Sequence, residues 1–108
     1  ELKKAAQELG IDEKMTFELY KDLLQQIKDE KDVIYRNLNL KNYEELHKSY
    51  HKLKGAALNL RLSTIALILK NLDELSKKEE DIKTLEEFTN KLYEFLERKP
   101  SQEVKKEV

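Results

Sequence analysis

The chain has very few residues that interrupt helices: two glycines and one proline among 108 residues. Glycine and proline mark the turns of sheet-rich folds, so their scarcity favours helices throughout. Charged residues make up 40% of the chain and hydrophobic residues 39%, which is typical of amphipathic helices in a soluble domain. The length suits one domain with one hydrophobic core. We therefore expect an all-α fold.

Apolar residues recur at steps of three and four, the spacing of one helix face, in five separate segments. Residues suited to helix ends separate the first three segments. Gly10 suits a helix C-terminus, Asp12 suits an N-cap, and Asn42 with Glu45 three residues later resembles a capping box. The predicted helices cover residues 1–9, 13–38, 43–62, 63–75 and 84–99.

The later helix ends are predicted in the same way. Ser63 is expected to cap the fourth helix, and Thr84, with Glu87, to cap the fifth. The charged segment 76–83 is expected to be the loop between them. Pro100 is expected to end the last helix.

Short connections between long helices favour antiparallel neighbours. We therefore expect an antiparallel up-and-down four-helix bundle with a short additional N-terminal helix. Because the chain begins at Glu1 and not at methionine, we expect either a domain excised from a longer protein or a processed one. The expected organisation is a helical bundle domain over residues 1–99 and a frayed tail over residues 100–108.

Composition excludes several classes of function. The 21 basic and 22 acidic residues give a net charge of −1, so no overall positive field attracts nucleic acid. The absence of cysteine excludes disulfides, thiolate catalysis and cysteine-ligated zinc. No run of about 18 apolar residues predicts membrane insertion, and no signal peptide is evident. We expect a cytoplasmic protein.

One histidine stands out on the third predicted helix. At 100° per residue, the apolar stripe of that helix centres roughly 150° from His51, which predicts that His51 faces solvent. Gly55 follows one turn later on the same exposed face, although a mid-helix glycine costs about 1 kcal/mol relative to alanine. A glycine there removes bulk beside a nucleophilic imidazole nitrogen, and Lys54 places a cation beside an anion on that nitrogen.

The segment around this histidine, HKLKGAALNL from His51 to Leu60, resembles the histidine-containing phosphotransfer (HPt) domain. That family's pattern is roughly His-x-Leu-Lys-Gly-x-small-x-Asn-Leu-Gly, followed by an amphipathic helix that ends in an acidic residue. The resemblance extends over essentially residues 1–98 in helix order. The flanking residues that contribute to it are Leu46, Ile65, Leu69, Leu72 and Asp73.

The resemblance implies a four-helix bundle that carries a phosphoryl group. His51 would be the phosphoacceptor, Lys54 the phosphate-supporting cation and Gly55 the residue that provides steric clearance. The implied partners are response-regulator receiver domains and a sensor histidine kinase, of which the chain could be a part. The domain would need no cofactor and would lack ATP binding and autokinase activity, and magnesium would belong to the receiver. We expect a monomer.

Arg61 departs from the family pattern, which has glycine at this position. That glycine usually ends the helix in a left-handed backbone conformation, which is unfavourable for arginine. We therefore expect the third helix to continue to Leu62.

Other residues near His51 are candidates for partner docking: His47, Lys48, Lys52 and Leu58. The two lysines suit solvated positions, with a secondary role in steering an acidic partner. Leu58 lies about 20° from His51 on the helix, which suits either a scattered exposed leucine or part of an apolar docking patch.

Two alternative functions remain open from the residues alone. His47 and His51 are four residues apart, and with Glu44 they could form a helical metal-binding module. A metal site gives no reason for the glycine at position 55. The chain could also be a non-catalytic helical interaction domain.

Overall fold

Five helices make up the chain in the structure, a computed structural model that describes the backbone of residues 2–107 and the side chains of residues 2–97. No strand is present among these residues, so the all-α prediction is confirmed. No helix in this part of the chain is long and apolar enough to cross a membrane. The helices are α1 (Leu2–Leu9), α2 (Glu13–Asn39), α3 (Tyr43–Asn59), α4 (Ser63–Lys77) and α5 (Ile82–Glu107).

Two of the predicted N-caps are confirmed. The Asp12 carboxylate accepts a hydrogen bond of 2.7 Å from the backbone N–H of Met15, at the start of α2. The side-chain oxygen of Asn42 accepts one of 3.3 Å from the backbone N–H of Glu45, at the start of α3. Each bond satisfies one of the four backbone donors that a helix N-terminus leaves unpaired.

The two other predicted N-caps are wrong. The N-cap of α4 is Leu62, whose side chain is buried in the core, and Ser63 is already the first helical residue. Helix α5 begins at Ile82, two residues before Thr84, and Ile82 packs against the core. At the start of α4 an apolar residue that packs on the core thus occupies the N-cap position. Helix α5 instead follows Asp81, whose carbonyl accepts backbone bonds from Thr84 (3.0 Å) and Leu85 (3.2 Å).

The helix C-termini share one geometry. Helices α1 to α4 are each followed by a residue with positive φ: Gly10 at 72°, Lys41 at 55°, Arg61 at 59° and Glu79 at 55°. The next residue in each case donates to a carbonyl five residues earlier, as in the Schellman motif. These bonds join Ile11 to Ala6 (3.2 Å), Asn42 to Asn37 (2.9 Å), Leu62 to Ala57 (3.1 Å) and Glu80 to Leu75 (3.0 Å).

The predicted extension of α3 to Leu62 is therefore wrong. Helix α3 ends at Asn59, and Arg61 adopts the left-handed conformation that the family assigns to glycine. Leu62 enters the core and its N–H bonds back to Ala57, which favours the turn despite the conformational cost at arginine. The guanidinium of Arg61 also donates to the carbonyl of Leu58 at 3.2 Å.

The last helix differs from its prediction as well. Helix α5 extends through Pro100 to Glu107, whereas the sequence predicts that it ends at the proline. A proline removes one backbone donor and usually kinks a helix, but the chain can continue as helix beyond it. The predicted tail over residues 100–108 lies outside the described side chains, and its separation from a domain over residues 1–99 stays a prediction.

The four long helices contact one another in a closed ring, α2 with α3, α3 with α4, α4 with α5 and α5 with α2, and α1 packs against α2. An up-and-down antiparallel order of these helices stays a prediction. One apolar cluster joins all five helices. Two tyrosine hydroxyls bond across it: that of Tyr50 with Thr89 at 2.8 Å, and that of Tyr93 to the carbonyl of Ile27 at 2.8 Å.

These buried contacts fix which side of α3 faces the core. Leu46, Tyr50, Leu53 and Ala57 are all fully buried and lie on one face, as predicted. Burial also raises the pKa of Tyr50 to about 12, so its hydroxyl remains neutral. The opposite face of α3 is therefore held towards solvent.

Candidate functional site

His51 lies on the exposed face of α3, as the sequence predicts. Its side chain is 64% exposed, while the core residues on the other side of the helix are fully buried. Gly55 and Leu58 follow it on the same face, and Leu58 is 51% exposed. An imidazole in this position is accessible to a macromolecular partner.

Asp73 lies beside His51, although the sequence pattern alone assigns it no functional role. It projects from α4, and its side chain is only 9% exposed. Its Oδ2 atom accepts a hydrogen bond of 2.8 Å from Lys54 Nζ and lies 3.3 Å from Nδ1 of His51. A buried carboxylate thus joins the two residues that the motif identifies.

A signal for Asp73 was present in the pattern of α4. Ala66, Leu69, Asp73 and Ser76 follow one another at helical steps of three and four, and all of them are buried. Asp73 is therefore an acidic residue on the core-facing side of an amphipathic helix. A charged residue at such a position is almost never fully buried unless it is paired.

The partners of Asp73 keep it ionised. Burial alone would raise its pKa, but hydrogen bonds from Lys54 and His51 and the nearby charges of Lys54 and His47 together lower the pKa below its ordinary value. An ionised carboxylate only accepts hydrogen bonds, so Nδ1 of His51 is the donor to it. In the neutral ring, this tautomer leaves the lone pair on Nε2.

His47 is the fourth member of this cluster. Its Nε2 atom lies 2.8 Å from Oδ1 of Asp73, and its ring centroid lies 5.6 Å from that of His51. The contact with Oδ1 lacks hydrogen-bond geometry, and Oδ1 is a buried acceptor without a hydrogen bond among the described residues. We refer to His47, His51, Lys54 and Asp73 as the histidine–aspartate cluster.

Glu44 is not part of this cluster. Its carboxylate lies 3.8 Å from Lys48 Nζ, on the exposed surface of α3. The groups that can share a metal ion among the described residues are His47, His51 and Asp73. The sequence suggests Glu44, His47 and His51 as the ligands of a metal-binding module. In the structure, Asp73 takes the place of Glu44 in this set.

The two lysines predicted to steer a partner are exposed but already have acidic neighbours. Lys48 Nζ lies 3.5 Å from Glu45, and Lys52 Nζ lies 2.6 Å from Glu30 on α2. The exposed pair of Lys48 contributes about 0–1 kcal/mol, so its ammonium group remains available to exchange partners. Lys52 is held more closely, because its partner Glu30 is only 19% exposed.

Gly55 has open space around it. A Cβ atom added there would meet nothing within 4 Å, and its backbone is ordinary helix. Among the described residues, no contact of an added Cβ atom therefore requires glycine at this position.

A shallow groove with apolar walls lies next to the cluster, between α3 and α4. Its most exposed apolar residues are Leu58 and Leu67, and Leu67 is 59% exposed. The sequence predicts a docking role for Leu58 but gives no sign of one for Leu67, which lies off the apolar stripe of α4. The groove is lined by Lys54, Leu58, Ser63, Ala66, Leu67 and Lys70.

Comparison with protein-family models gives one finding. The model described as Hpt domain matches residues 18–102, which include α3, α4 and the histidine–aspartate cluster. No curated protein and no solved structure matches the chain significantly.

Proposed function

Because the chain belongs to the Hpt domain family, we propose that it accepts a phosphoryl group on His51 from a receiver-domain aspartate and passes it to another receiver aspartate. The family makes the chain a phosphotransfer module of two-component signalling. Hpt domains carry phosphoryl groups and are not catalysts in their own right. The observation that supports His51 as the acceptor is its exposed ring with Nδ1 against the ionised Asp73.

The tautomer of His51 supports nucleophilic attack through Nε2. The Nε2 lone pair forms a bond to phosphorus, while the bond from phosphorus to the partner's aspartate oxygen breaks and the carboxylate leaves with the electron pair. The Nδ1 proton stays in place, so the ring gains positive charge. Asp73 stabilises that charge because it is an ionised carboxylate 3.3 Å from Nδ1. The second transfer reverses these steps.

Lys54 supports the phosphorylated state by a different route. Its ammonium is held 2.8 Å from Asp73, on the side of the cluster next to His51. A phosphoryl group on His51 carries up to two negative charges and attracts this ammonium. Asp73 thus keeps Lys54 beside the acceptor before any phosphate arrives.

The groove between α3 and α4 supports docking of a receiver beside His51. Leu58 and Leu67 provide exposed apolar surface, and Lys54 and Lys70 provide positive charge at its edge. Receiver active sites are acidic in the families that this chain resembles, so the charges are complementary. His47, Lys48 and Lys52 contribute further contacts in this proposal.

Further features of the proposal follow from the family. The partners are response-regulator receiver domains and a sensor histidine kinase, and the magnesium required for transfer belongs to the receiver. The domain acts as a monomer in the cytoplasm, without ATP binding or autokinase activity. We expect a partner to reach His51 over the face near Gly55, because a Cβ atom added there, one turn from His51, would meet nothing within 4 Å among the described residues.

The direct test is transfer from a phosphorylated receiver. The purified chain is mixed with the labelled receiver and magnesium, and the product is examined for an acid-labile, alkali-stable phosphoryl group that mass spectrometry maps to one residue. We expect label on His51. The His51→Gln variant should take up none, whereas the matched His47→Gln variant keeps the acceptor and should still be labelled.

The outcome separates this function from a non-catalytic interaction domain. A folded sample that takes no label from several different receivers contradicts the proposal. Label on His47 with His51 unmodified contradicts the choice of acceptor.

A further inference from the structure

We propose that His47, His51 and Asp73 form a binding site for Zn²⁺ or a similar divalent transition-metal ion, and that this ion blocks phosphorylation of His51. Metal binding is independent of the proposed phosphocarrier function. The second part of the proposal, that the bound ion blocks phosphorylation of His51, rests on the proposed phosphocarrier function.

The positions of the three side chains suit a shared ion. One ligand atom from each residue lies within 4.8 Å of the other two. Bonds of about 2.0–2.1 Å to a tetrahedral Zn²⁺ place ligand atoms roughly 3.3 Å apart, so the three must close by about 1.5 Å at most. The two imidazoles can make that movement because His51 is 64% exposed and His47 is 37% exposed.

The chemistry of the ligands indicates the class of ion. Two imidazole nitrogens and one carboxylate oxygen are a common set for Zn²⁺, with water in the fourth position. Imidazole also suits Cu²⁺ and Ni²⁺, whereas Mg²⁺ and Ca²⁺ prefer sites made of oxygen alone. A borderline transition-metal ion therefore fits better than the magnesium of the receiver.

The carboxylate gives an independent indication of a site. Asp73 Oδ1 is buried and has no hydrogen bond among the described residues, although Nε2 of His47 lies 2.8 Å away. A buried acceptor left unsatisfied is costly and calls for an explanation. An ion bound between Oδ1 and the two rings would satisfy it.

Lys54 opposes metal binding. Its ammonium bonds to Oδ2 of the same carboxylate at 2.8 Å, so a divalent cation at Oδ1 is repelled by a nearby positive charge. Removal of that charge should therefore tighten binding. An ordinary surface pair of histidines would not respond in this way, which makes the Lys54 variant diagnostic.

Metal binding would abolish the nucleophile on His51. A neutral imidazole that binds metal through Nδ1 carries its proton on Nε2, so Nε2 has no free lone pair. Binding through Nε2 occupies that lone pair directly. Either mode leaves the ring unable to attack phosphorus, so metal and phosphoryl group exclude each other.

The binding experiment is calorimetric titration of the full chain with ZnCl₂ in buffer free of phosphate and chelators. We expect one ion per chain. The His47→Gln and Asp73→Asn variants should each bind at least about tenfold more weakly, and Lys54→Met more tightly. Glu44→Gln, the matched control on the same helix, should bind like the parent. Absence of saturable binding, or equal affinity in the parent and His47→Gln, would overturn the metal site.

The competition experiment uses phosphoramidate, a small donor that labels histidine directly and needs no receiver. Each variant is compared with its own metal-free rate. The labelling rate of the parent should fall to half at the Zn²⁺ concentration that half-saturates the site in calorimetry. The labelling rate of His47→Gln should change little at the same Zn²⁺ concentrations. Equal labelling of the metal-free and Zn²⁺-saturated parent would overturn the competition. Zn²⁺ binding in a chain that neither donor labels would support the metal site and contradict the phosphocarrier function.

Discussion

The ammonium of Lys54 and Nδ1 of His51 face the same oxygen, Oδ2 of Asp73, at 2.8 Å and 3.3 Å. One buried carboxylate on α4 therefore orients two side chains of α3, which are three residues apart. In the proposed function, these contacts hold the acceptor beside its supporting cation before a phosphoryl group arrives. Asp73 is thus the residue whose replacement should disturb the cluster most widely.

Replacement of His51 should remove phosphorylation and leave the fold intact. In His51→Gln we expect no label from a phosphorylated receiver, and a free energy of unfolding within about 1 kcal/mol of the parent. The reason is that the ring is mostly exposed and its only described hydrogen bond within the chain is long. Circular dichroism and urea denaturation provide the measurement. A large loss of helicity would mean that His51 is a structural residue.

Replacement of Asp73 by asparagine should slow transfer while the acceptor remains. A hydrogen bond to a charged group contributes about 1.5–3 kcal/mol, so we expect transfer to slow roughly 10- to 150-fold in Asp73→Asn. Single-turnover transfer from a phosphorylated receiver measures this rate. The control is Glu74→Gln, an exposed neighbour on α4, which should transfer like the parent. Equal rates in the parent and Asp73→Asn would exclude a positioning role.

Asp73 should also give the domain a specific dependence of stability on pH. Its pKa is lowered from 3.8 because the bonds from Lys54 and His51 outweigh the effect of burial. A carboxylate with a lower pKa in the folded state contributes stability above its unfolded pKa, and this contribution is lost as pH falls through the folded pKa. Below about pH 4, the parent should therefore lose stability more steeply than Asp73→Asn. Urea midpoints between pH 2 and pH 7 test this, and parallel curves would contradict it.

Glycine at position 55 should lower the stability of the helix and leave His51 more accessible to a receiver. Gly55→Ala should raise the free energy of unfolding by about 1 kcal/mol, because the added Cβ meets nothing and alanine favours the helix. Gly55→Leu keeps most of that gain but places a large side chain one turn from His51, so transfer from a receiver should slow. Labelling by phosphoramidate, which is small, should change less. Unchanged receiver kinetics in Gly55→Leu would remove the steric explanation.

The exposed and buried faces of α3 can be predicted from the sequence, because the spacing of residues along a helix determines which of them share a face. The exposure of His51 and Leu58 and the burial of Tyr50 can all be predicted from steps of three and four on α3. The contact between His51 and Asp73 cannot, since it depends on how α3 and α4 are rotated against each other. The proximity of Leu67 to Leu58 in the groove cannot be predicted either, because it depends on the turn between α3 and α4.

The helix ends show where local rules fail. Ser63 suggests an N-cap for α4, but Leu62, whose side chain is buried in the core, occupies that position instead. A polar residue at the N-cap contributes about 1 kcal/mol to stability, whereas burial of a leucine side chain contributes about 1.5–3 kcal/mol. Because burial contributes more free energy than the cap, it determines where the helix begins.

Arg61 provides a test of how burial of a neighbouring residue outweighs an unfavourable local backbone conformation. It holds φ at 59°, a conformation that costs a non-glycine residue roughly 1–2 kcal/mol. Arg61→Gly should relieve that strain and lose only an exposed hydrogen bond to Leu58, so we expect a net gain in the free energy of unfolding of about 1 kcal/mol. Glu79→Gly, at the matching position after α4, should give a similar gain.

The opposite change at the first turn completes this comparison. Gly10 has φ of 72°, so Gly10→Ala should destabilise the domain by roughly 1 kcal/mol even though its Cβ meets nothing within 4 Å. Urea denaturation of the three variants measures the pattern. A loss of stability in Arg61→Gly would show that the arginine makes a larger contribution to the turn than its backbone conformation costs. Phosphoryl transfer to His51 should be unaffected by Gly10→Ala, because that turn lies between α1 and α2, away from the cluster.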